Sequence, residues 1–234
     1  MPVAASSSSP VLRTIAAAAL LCLACASVQA ADTVTVGGIS YVNKGLVGVG
    51  RIPADLRDQF GENVGSGSGL AADRATWTRG PDGYHGVFYL LPDRGYNVAG
   101  TIDFRARLYK LSVVFKPAED SSSIPPDARQ RGVVATLTDT VLLTDAAGEP
   151  LTGLDPVGVR QAANGFPDMP EASNRRISLD SEAVVLMPDG SFFISDEYGP
   201  YIYRFSAEGR MLSAIRPPDA FIPMRKRQGQ FLIQ

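Results

Sequence analysis

The sequence predicts an all-β chain built from repeated turn, strand and loop units, and three observations carry that prediction. Short β-branched and aromatic runs recur between Gly, Pro, Asn and Asp from Thr33 onward. Helix signals are few: the best, Ala54–Phe60, opened by Pro53 and closed by Gly61, is about two turns at most. A weak internal repeat sets Pro81-Asp82-Gly83, Val87-Phe88-Tyr89-Leu90 and Asp93-Arg94-Gly95 beside Pro188-Asp189-Gly190, Phe192-Phe193-Ile194 and Asp196-Glu197-Tyr198-Gly199. Such units suit blades of a β-propeller, whose loops after the buried strand open onto one face of the ring. A β-sandwich with coincidental Pro-Asp-Gly turns is the alternative.

The first segment, residues 1–30, precedes the folded part. Arg13 is followed by an apolar run through Ile15, Leu20, Leu21, Cys22 and Leu23 that ends in Val28-Gln29-Ala30, the order of a cleavable signal peptide with cleavage after Ala30. The run is about a dozen residues long, whereas a membrane span needs about 20. Removal leaves roughly 200 residues, enough for one core. Cys22 and Cys25 both lie in the signal, so the exported form has neither a disulfide nor a thiolate metal site. The formal net charge of −2 offers no electrostatic footprint for nucleic acid or anionic membranes. Arg225-Lys226-Arg227 is the exception and reads as a solvated tail.

Strands are expected at Thr33–Val36, Leu46–Val49, Ala75–Thr78, Val87–Leu91, Phe104–Phe115, Val133–Thr138, Thr140–Thr144, Ala183–Met187, Phe192–Ser195, Ile202–Phe205 and Met211–Ile215. The last two form a hairpin through the turn Ser206-Ala207-Glu208-Gly209. Lys116–Arg131 and Asp155–Asn174, rich in Pro, Asp and Ser, read as irregular. Residues 31–64 are N-terminal strands and linker, 65–224 the propeller domain, and 225–234 a basic tail. About 11 strands make roughly half of the smallest ring, so an incomplete propeller with two unpaired edges is expected, with further blades encoded beyond Met224.

Among the groups that could carry chemistry, histidine is represented by His85 alone, in a Pro-Asp-Gly turn. Gly65-Ser66-Gly67-Ser68-Gly69 has glycine where a nucleophile elbow needs serine, which argues against serine hydrolysis. The glycine-rich run Gly61 to Gly69 also lacks the Gly-Lys-Ser/Thr ending of a phosphate-binding loop. The carboxylates Asp93, Asp180, Glu182, Asp196 and Glu197 all fall at strand ends or in adjoining loops. Hard cations such as Ca²⁺ take several oxygen ligands, and converging loops can supply them. Taken singly, the same acids could cap turns or pair with Arg94, Arg175, Arg176 and Arg204.

The chain also resembles the phytase-like family, described as having esterase-like activity of phytase. The resemblance rests on Gly67-Ser68-Gly69-Leu70-Ala71, Leu91-Pro92-Asp93-Arg94-Gly95-Tyr96-Asn97 and Leu179-Asp180-Ser181-Glu182-Ala183, and above all on Pro188 through Ile202. It covers roughly residues 65–224 and implies a secreted β-propeller with a phosphoester or ester substrate. Ala183 stands where the family has Gly after the acid, and the tail beyond Met224 leaves the pattern. The resemblance transfers no catalytic residues.

The leading expectation is therefore a secreted, extracellular hydrolase of a small-molecule phosphoester or ester, with no nucleic-acid or membrane partner. Asp93, Arg94, Glu182 and Glu197 are the catalytic candidates, and Asp180, Glu182, Asp196 and Glu197 the candidate ligands of Ca²⁺. Arg94 would pair with phosphate oxygens through its planar fork. The alternatives are a non-catalytic propeller that binds a partner or glycan, a calcium propeller of the lactonase kind, and an inactive fragment.

Overall fold

The computed structural model of the chain describes residues 33–65, 67–97, 99–119, 131–222, 224–227 and 230–233. The signal peptide, its cysteines and its cleavage point lie outside the described residues, as do residues 120–130 of the expected irregular stretch. The described residues divide into two compact units, the first holding residues 33–47 and 119 and the second the remainder.

Within the first unit, β1 (Thr33–Val36) and β2 (Ile39–Val42) form an antiparallel hairpin with Val36 opposite Ile39. Gly37 and Gly38 take φ values of 57° and 80°. Two successive positive-φ residues define the tight turn whose twist matches a hairpin, and glycine adopts it without steric cost. The Thr35 and Ser40 hydroxyls meet across the strands at 3.0 Å.

The second unit is also built of antiparallel strands. β3 (Gly69–Gly80), β4 (Gly83–Leu91), β5 (Arg107–Phe115) and β6 (Val133–Leu142) make one four-stranded sheet in chain order. β9 (Ser181–Leu186), β10 (Phe192–Asp196), β11 (Ile202–Phe205) and β12 (Met211–Ile215) make another, also in chain order. Two hairpins, β7 (Pro156–Arg160) with β8 (Met169–Ala172) and β13 (Met224–Arg227) with β14 (Gln230–Ile233), complete the strands. Among the described residues no sheet closes on itself, so the architecture is all-β and open, compatible with a partial propeller and with a β-sandwich.

Several expectations are corrected. Ala54–Phe60 is not helical: a turn closed by Leu56 N–H to Pro53 O at 3.1 Å replaces it. Leu46–Val49 joins no ladder, although Val49 O accepts from Val133 N–H at 3.2 Å. Val133–Thr138 and Thr140–Thr144 merge into β6, whose register slips between the pairs Lys110–Asp139 and Leu111–Leu137, leaving Thr138 as the extra residue of a bulge. The stretch Asp155–Asn174 contains β7 and β8. The edge strand β3 carries a larger irregularity between Asp73 and Thr78. Bulges of this kind disfavour edge-to-edge pairing.

The core draws Leu91, Leu108, Val141 and Leu143 from the first sheet and its exit, and Leu179, Val184, Phe192, Ile194, Tyr203, Phe205 and Met211 from the second and its approach. Alternation along β10 buries Phe192, Ile194 and Asp196 and leaves Phe193 and Ser195 half-buried. The period that builds the core therefore also carries a carboxylate, Asp196, inward. Phe192 stacks on Phe205 at 5.6 Å and Tyr201 on Tyr203 at 5.7 Å between ring centroids. Burial of such rings contributes about 1.5–3 kcal/mol each. The sheets are joined at one end by Thr144, whose N–H donates to Gly209 O at 2.8 Å and whose carbonyl accepts from Met211 N–H at 2.9 Å.

Candidate active site

The candidate site lies where the loop after β4 meets the start of β9 and the loop after β10. Ser181, buried at the start of β9, donates its hydroxyl to Pro92 O at 2.7 Å and so fixes the Asp93-Arg94 loop above that strand. Gly69 lets β3 lie against the same strand: a Cβ there would sit 3.2 Å from Ala183 Cα and 3.3 Å from Glu182 O. This close approach gives the Gly67-Ser68-Gly69 run a structural role.

Asp93, Asp180 and Glu182 each present one carboxylate oxygen to a common point, the three atoms lying within 4.8 Å of one another. Asp180 is 3% exposed. Its Oδ2 faces Arg94 Nε at 3.3 Å, while its buried Oδ1 has no hydrogen-bond donor. Glu197 enters from the loop after β10, its N–H donating to Asp180 O at 2.8 Å. Its carboxyl lies near enough to Glu182 to help raise the pKa of that group.

Asp196 is placed differently from its neighbour. At 5% exposure it lies beneath the cluster, and its Oδ1 accepts from the N–H of Asp180 at 3.0 Å and of Tyr198 at 3.2 Å. Its Oδ2 accepts from Tyr203 OH at 3.3 Å. Both oxygens are thus engaged by protein, and Asp196 is not one of the three converging carboxylates.

Arg94 spans the site. Its Nη1 donates to Tyr198 OH at 2.7 Å and to Asp155 Oδ1 at 3.1 Å, and its guanidinium lies 5.4 Å from the Tyr198 ring centroid. Tyr198 OH is also 2.8 Å from Asp155 Oδ1 and 3.0 Å from Gly153 O. The fork expected to clasp phosphate is therefore committed at Nη1 to Tyr198 and Asp155, while Nε faces Asp180. Tyr198 and Asp155 were not expected in the site. Tyr198 belongs to the Asp-Glu-Tyr-Gly run and could have been suspected from it, whereas nothing in the sequence points to Asp155.

Crowding and burial move the acids in one direction. Burial, then a hydrogen bond and charge repulsion from Asp93, push Asp180 up to about 8, against the opposing pull of Arg94. Burial raises Glu182 as well, helped by Asp93 and Glu197. Burial lifts Asp196 to about 7, although the backbone N–H groups and Tyr203 OH that it accepts from oppose the shift. An arrangement of this kind is relieved in one of two ways, by retaining a proton or by taking up a cation. All-oxygen donors suit a hard cation such as Ca²⁺, and the donorless Asp180 Oδ1 is an oxygen a cation could satisfy.

Other features lie apart from this cluster. His85, expected in a turn, is instead a half-buried residue of β4 opposite Thr78 and Val114, and it pairs with Asp82 at 2.7 Å. A cavity lined by Asp145, Arg160, Phe166, Met169 and Ile177, among others, shares no residue with the cluster. Among the described residues no helix is long and apolar enough to cross a membrane.

Comparison with known proteins adds three findings. The model of the phytase-like family, described as esterase-like activity of phytase, matches residues 62–231 and so takes in the Arg225–Arg227 cluster. A protein of Arthroderma benhamiae described as an uncharacterized secreted protein is 42% identical over 210 residues, covering 83% of this chain. The match spans 41% of that relative's length. No solved structure matches.

Proposed function

The chain belongs to the phytase-like family, and from that membership and the geometry around Asp180 we propose that it is a secreted hydrolase of phosphoesters or esters. The observation that carries the reading is the meeting of carboxylate oxygens of Asp93, Asp180 and Glu182 within 4.8 Å of one another, together with a buried Asp180 oxygen that has no donor. Asp93, Asp180 and Glu182 would hold Ca²⁺ as oxygen ligands. When bound, such an ion polarises the scissile group and lowers the pKa of water, which offsets the lack of a histidine base.

The chain's own residues divide the remaining work. Glu197, which follows Asp196 in the loop after β10 and neighbours Glu182, would accept a proton from the attacking water. Ser181 is a positioning residue that fixes the loop bearing Asp93, and Arg94, anchored on Tyr198 and Asp155, balances the charge of Asp180 in the absence of an ion. Asp196 positions Asp180 from below through its backbone N–H. Export is supported by the Arg13-to-Ala30 order of the leader and by the secreted description of the Arthroderma relative.

The test is turnover of a chromogenic phosphomonoester and a chromogenic carboxylic ester by the full chain, with and without Ca²⁺. Calcium-dependent hydrolysis of either, lost in Asp180→Asn, is expected. Calcium binding without turnover of any ester would instead make this a binding module.

A further inference from the structure

Arg94 stands where a bound cation would also be drawn. Its Nε reaches Asp180 Oδ2 at 3.3 Å, longer than the roughly 2.7–2.9 Å of a strong charge-assisted bond. Its other end is held more closely, with Nη1 at 2.7 Å from Tyr198 OH and 3.1 Å from Asp155 Oδ1. The guanidinium is thus anchored on Tyr198 and Asp155 and only loosely engaged with the cluster.

Resting on the reading that Asp93, Asp180 and Glu182 hold a divalent cation, we infer that Arg94 is the built-in counter-cation of this cluster and that an incoming ion displaces its Nε from Asp180 while Tyr198 and Asp155 retain it. Two observations support the displacement. Asp180 Oδ1, buried and without a donor, shows that Arg94 leaves the cluster incompletely satisfied. Asp155, whose side chain is 53% exposed, offers a carboxylate outside the cluster to which the positive charge can retreat. A divalent ion among Asp93, Asp180 and Glu182 repels the neighbouring guanidinium and takes over the neutralisation of Asp180, which favours the Arg94 position nearer Asp155.

Displacement has a further consequence. The freed Nε–H becomes a donor beside the ion, available to an oxyanion of the substrate. Cation and oxyanion binding are then coupled, each tightening the other by the same factor.

Calorimetric titration of Ca²⁺ alone into the full chain tests this without reference to turnover, so failure of the hydrolase reading and failure of this inference are separate results. Arg94→Gln removes the competing charge and is expected to bind Ca²⁺ at least about tenfold more tightly than the unmodified chain. Arg94→Lys keeps the charge but loses the planar fork that engages Asp180 and Asp155 together, and is expected to fall between them. Tyr198→Phe removes the anchor and is expected to weaken Ca²⁺ binding. Thermal melting of each variant checks that it folds, and Arg94→Lys serves if Arg94→Gln does not. Ca²⁺ binding that is unchanged or weaker in both Arg94 variants, or absent from every form, overturns the inference.

Discussion

Asp196 Oδ1 accepts the backbone N–H of Asp180 at 3.0 Å, a bond that joins the end of β10 to the approach to β9 beneath the acidic cluster. Glu197, the next residue, returns its N–H to Asp180 O at 2.8 Å. Both backbone polar groups of Asp180 are therefore held by the Asp196-Glu197 pair, and the buried carboxylate projects from a fixed peptide.

The first prediction concerns that support. Asp196→Ala leaves the N–H groups of Asp180 and Tyr198 and the hydroxyl of Tyr203 without their acceptor, at about 1–3 kcal/mol for each buried group left unpaired. Asp196→Asn keeps an acceptor oxygen for the two N–H groups. Urea denaturation is expected to show the Ala variant destabilised by more than about 2 kcal/mol and the Asn variant by much less. Equal losses in the two would mean that the acceptor role is unimportant.

The second prediction is the pH dependence of stability. Asp196 at about 7 and Asp180 at about 8 stand well above their ordinary 3.8, and Glu182 is also raised. The folded chain therefore binds more protons than the unfolded chain between about pH 4 and pH 8. The stability these groups contribute is fully present below that window and is lost as pH rises through it. In buffer with a chelator, Tm is expected to be higher at pH 5 than at pH 8.5. A Tm that rises with pH over that interval would contradict the burial of these acids.

Much of the second sheet is legible in the sequence because its signals are local. The bounds of β11 and β12 follow from alternating apolar residues and a Gly-containing turn, and β10 differs from its expected span only by including Asp196. What is missed depends on long-range partners. β7 and β8 are obscured by Pro156, Pro170 and polar residues, and Arg160 of one meets Glu171 of the other at 3.3 Å. The helix signal at Ala54–Phe60 gives way because Asp58 Oδ1 accepts from the N–H groups of Phe60 and Glu62 at 2.8 and 3.0 Å. A short acidic side chain competes with helix in this way, and its other oxygen pairs with Arg107 far along the chain. In the site, Asp93, Arg94, Asp180 and Glu182 are visible as polar residues beside buried strands. Asp155 is not, since its role depends on Tyr198, 43 residues away, and on Arg94, 61 residues away.

The third prediction tests the ion pair between Asp58 and Arg107, whose side chains are both 0% exposed. Arg107 Nε also donates to Arg105 O at 2.8 Å, and its guanidinium lies 4.5 Å from the Phe104 ring centroid. Nη2 is buried without a partner. Asp58→Ala removes the paired charge and is expected to cost about 3–5 kcal/mol, because it leaves the guanidinium uncompensated. The double variant Asp58→Asn with Arg107→Met removes both charges and is expected to recover part of that loss in the same denaturation assay. A double variant less stable than Asp58→Ala would show that the pair itself, rather than its burial, supplies the stability.

The last prediction separates the converging carboxylates from the one beneath them. Asp180→Asn, Asp93→Asn and Glu182→Gln each replace an oxygen of the three that lie within 4.8 Å, with little change of shape. Neutralising a crowded carboxylate removes repulsion, so these variants should melt at or above the temperature of the unmodified chain in the presence of a chelator. Each also removes a hard oxygen ligand, so the rise in Tm that Ca²⁺ brings about should shrink or vanish, because a ligand stabilises the folded state only to the extent that it binds there. Asp196→Asn, whose parent carboxylate is engaged by backbone and Tyr203, should keep most of the Ca²⁺-induced rise. Melting each variant with chelator and with excess Ca²⁺ gives the comparison. A Ca²⁺-induced rise that survives in all three cluster variants and disappears in Asp196→Asn would place the cation on the buried carboxylate instead and would reverse the division between site and support argued above.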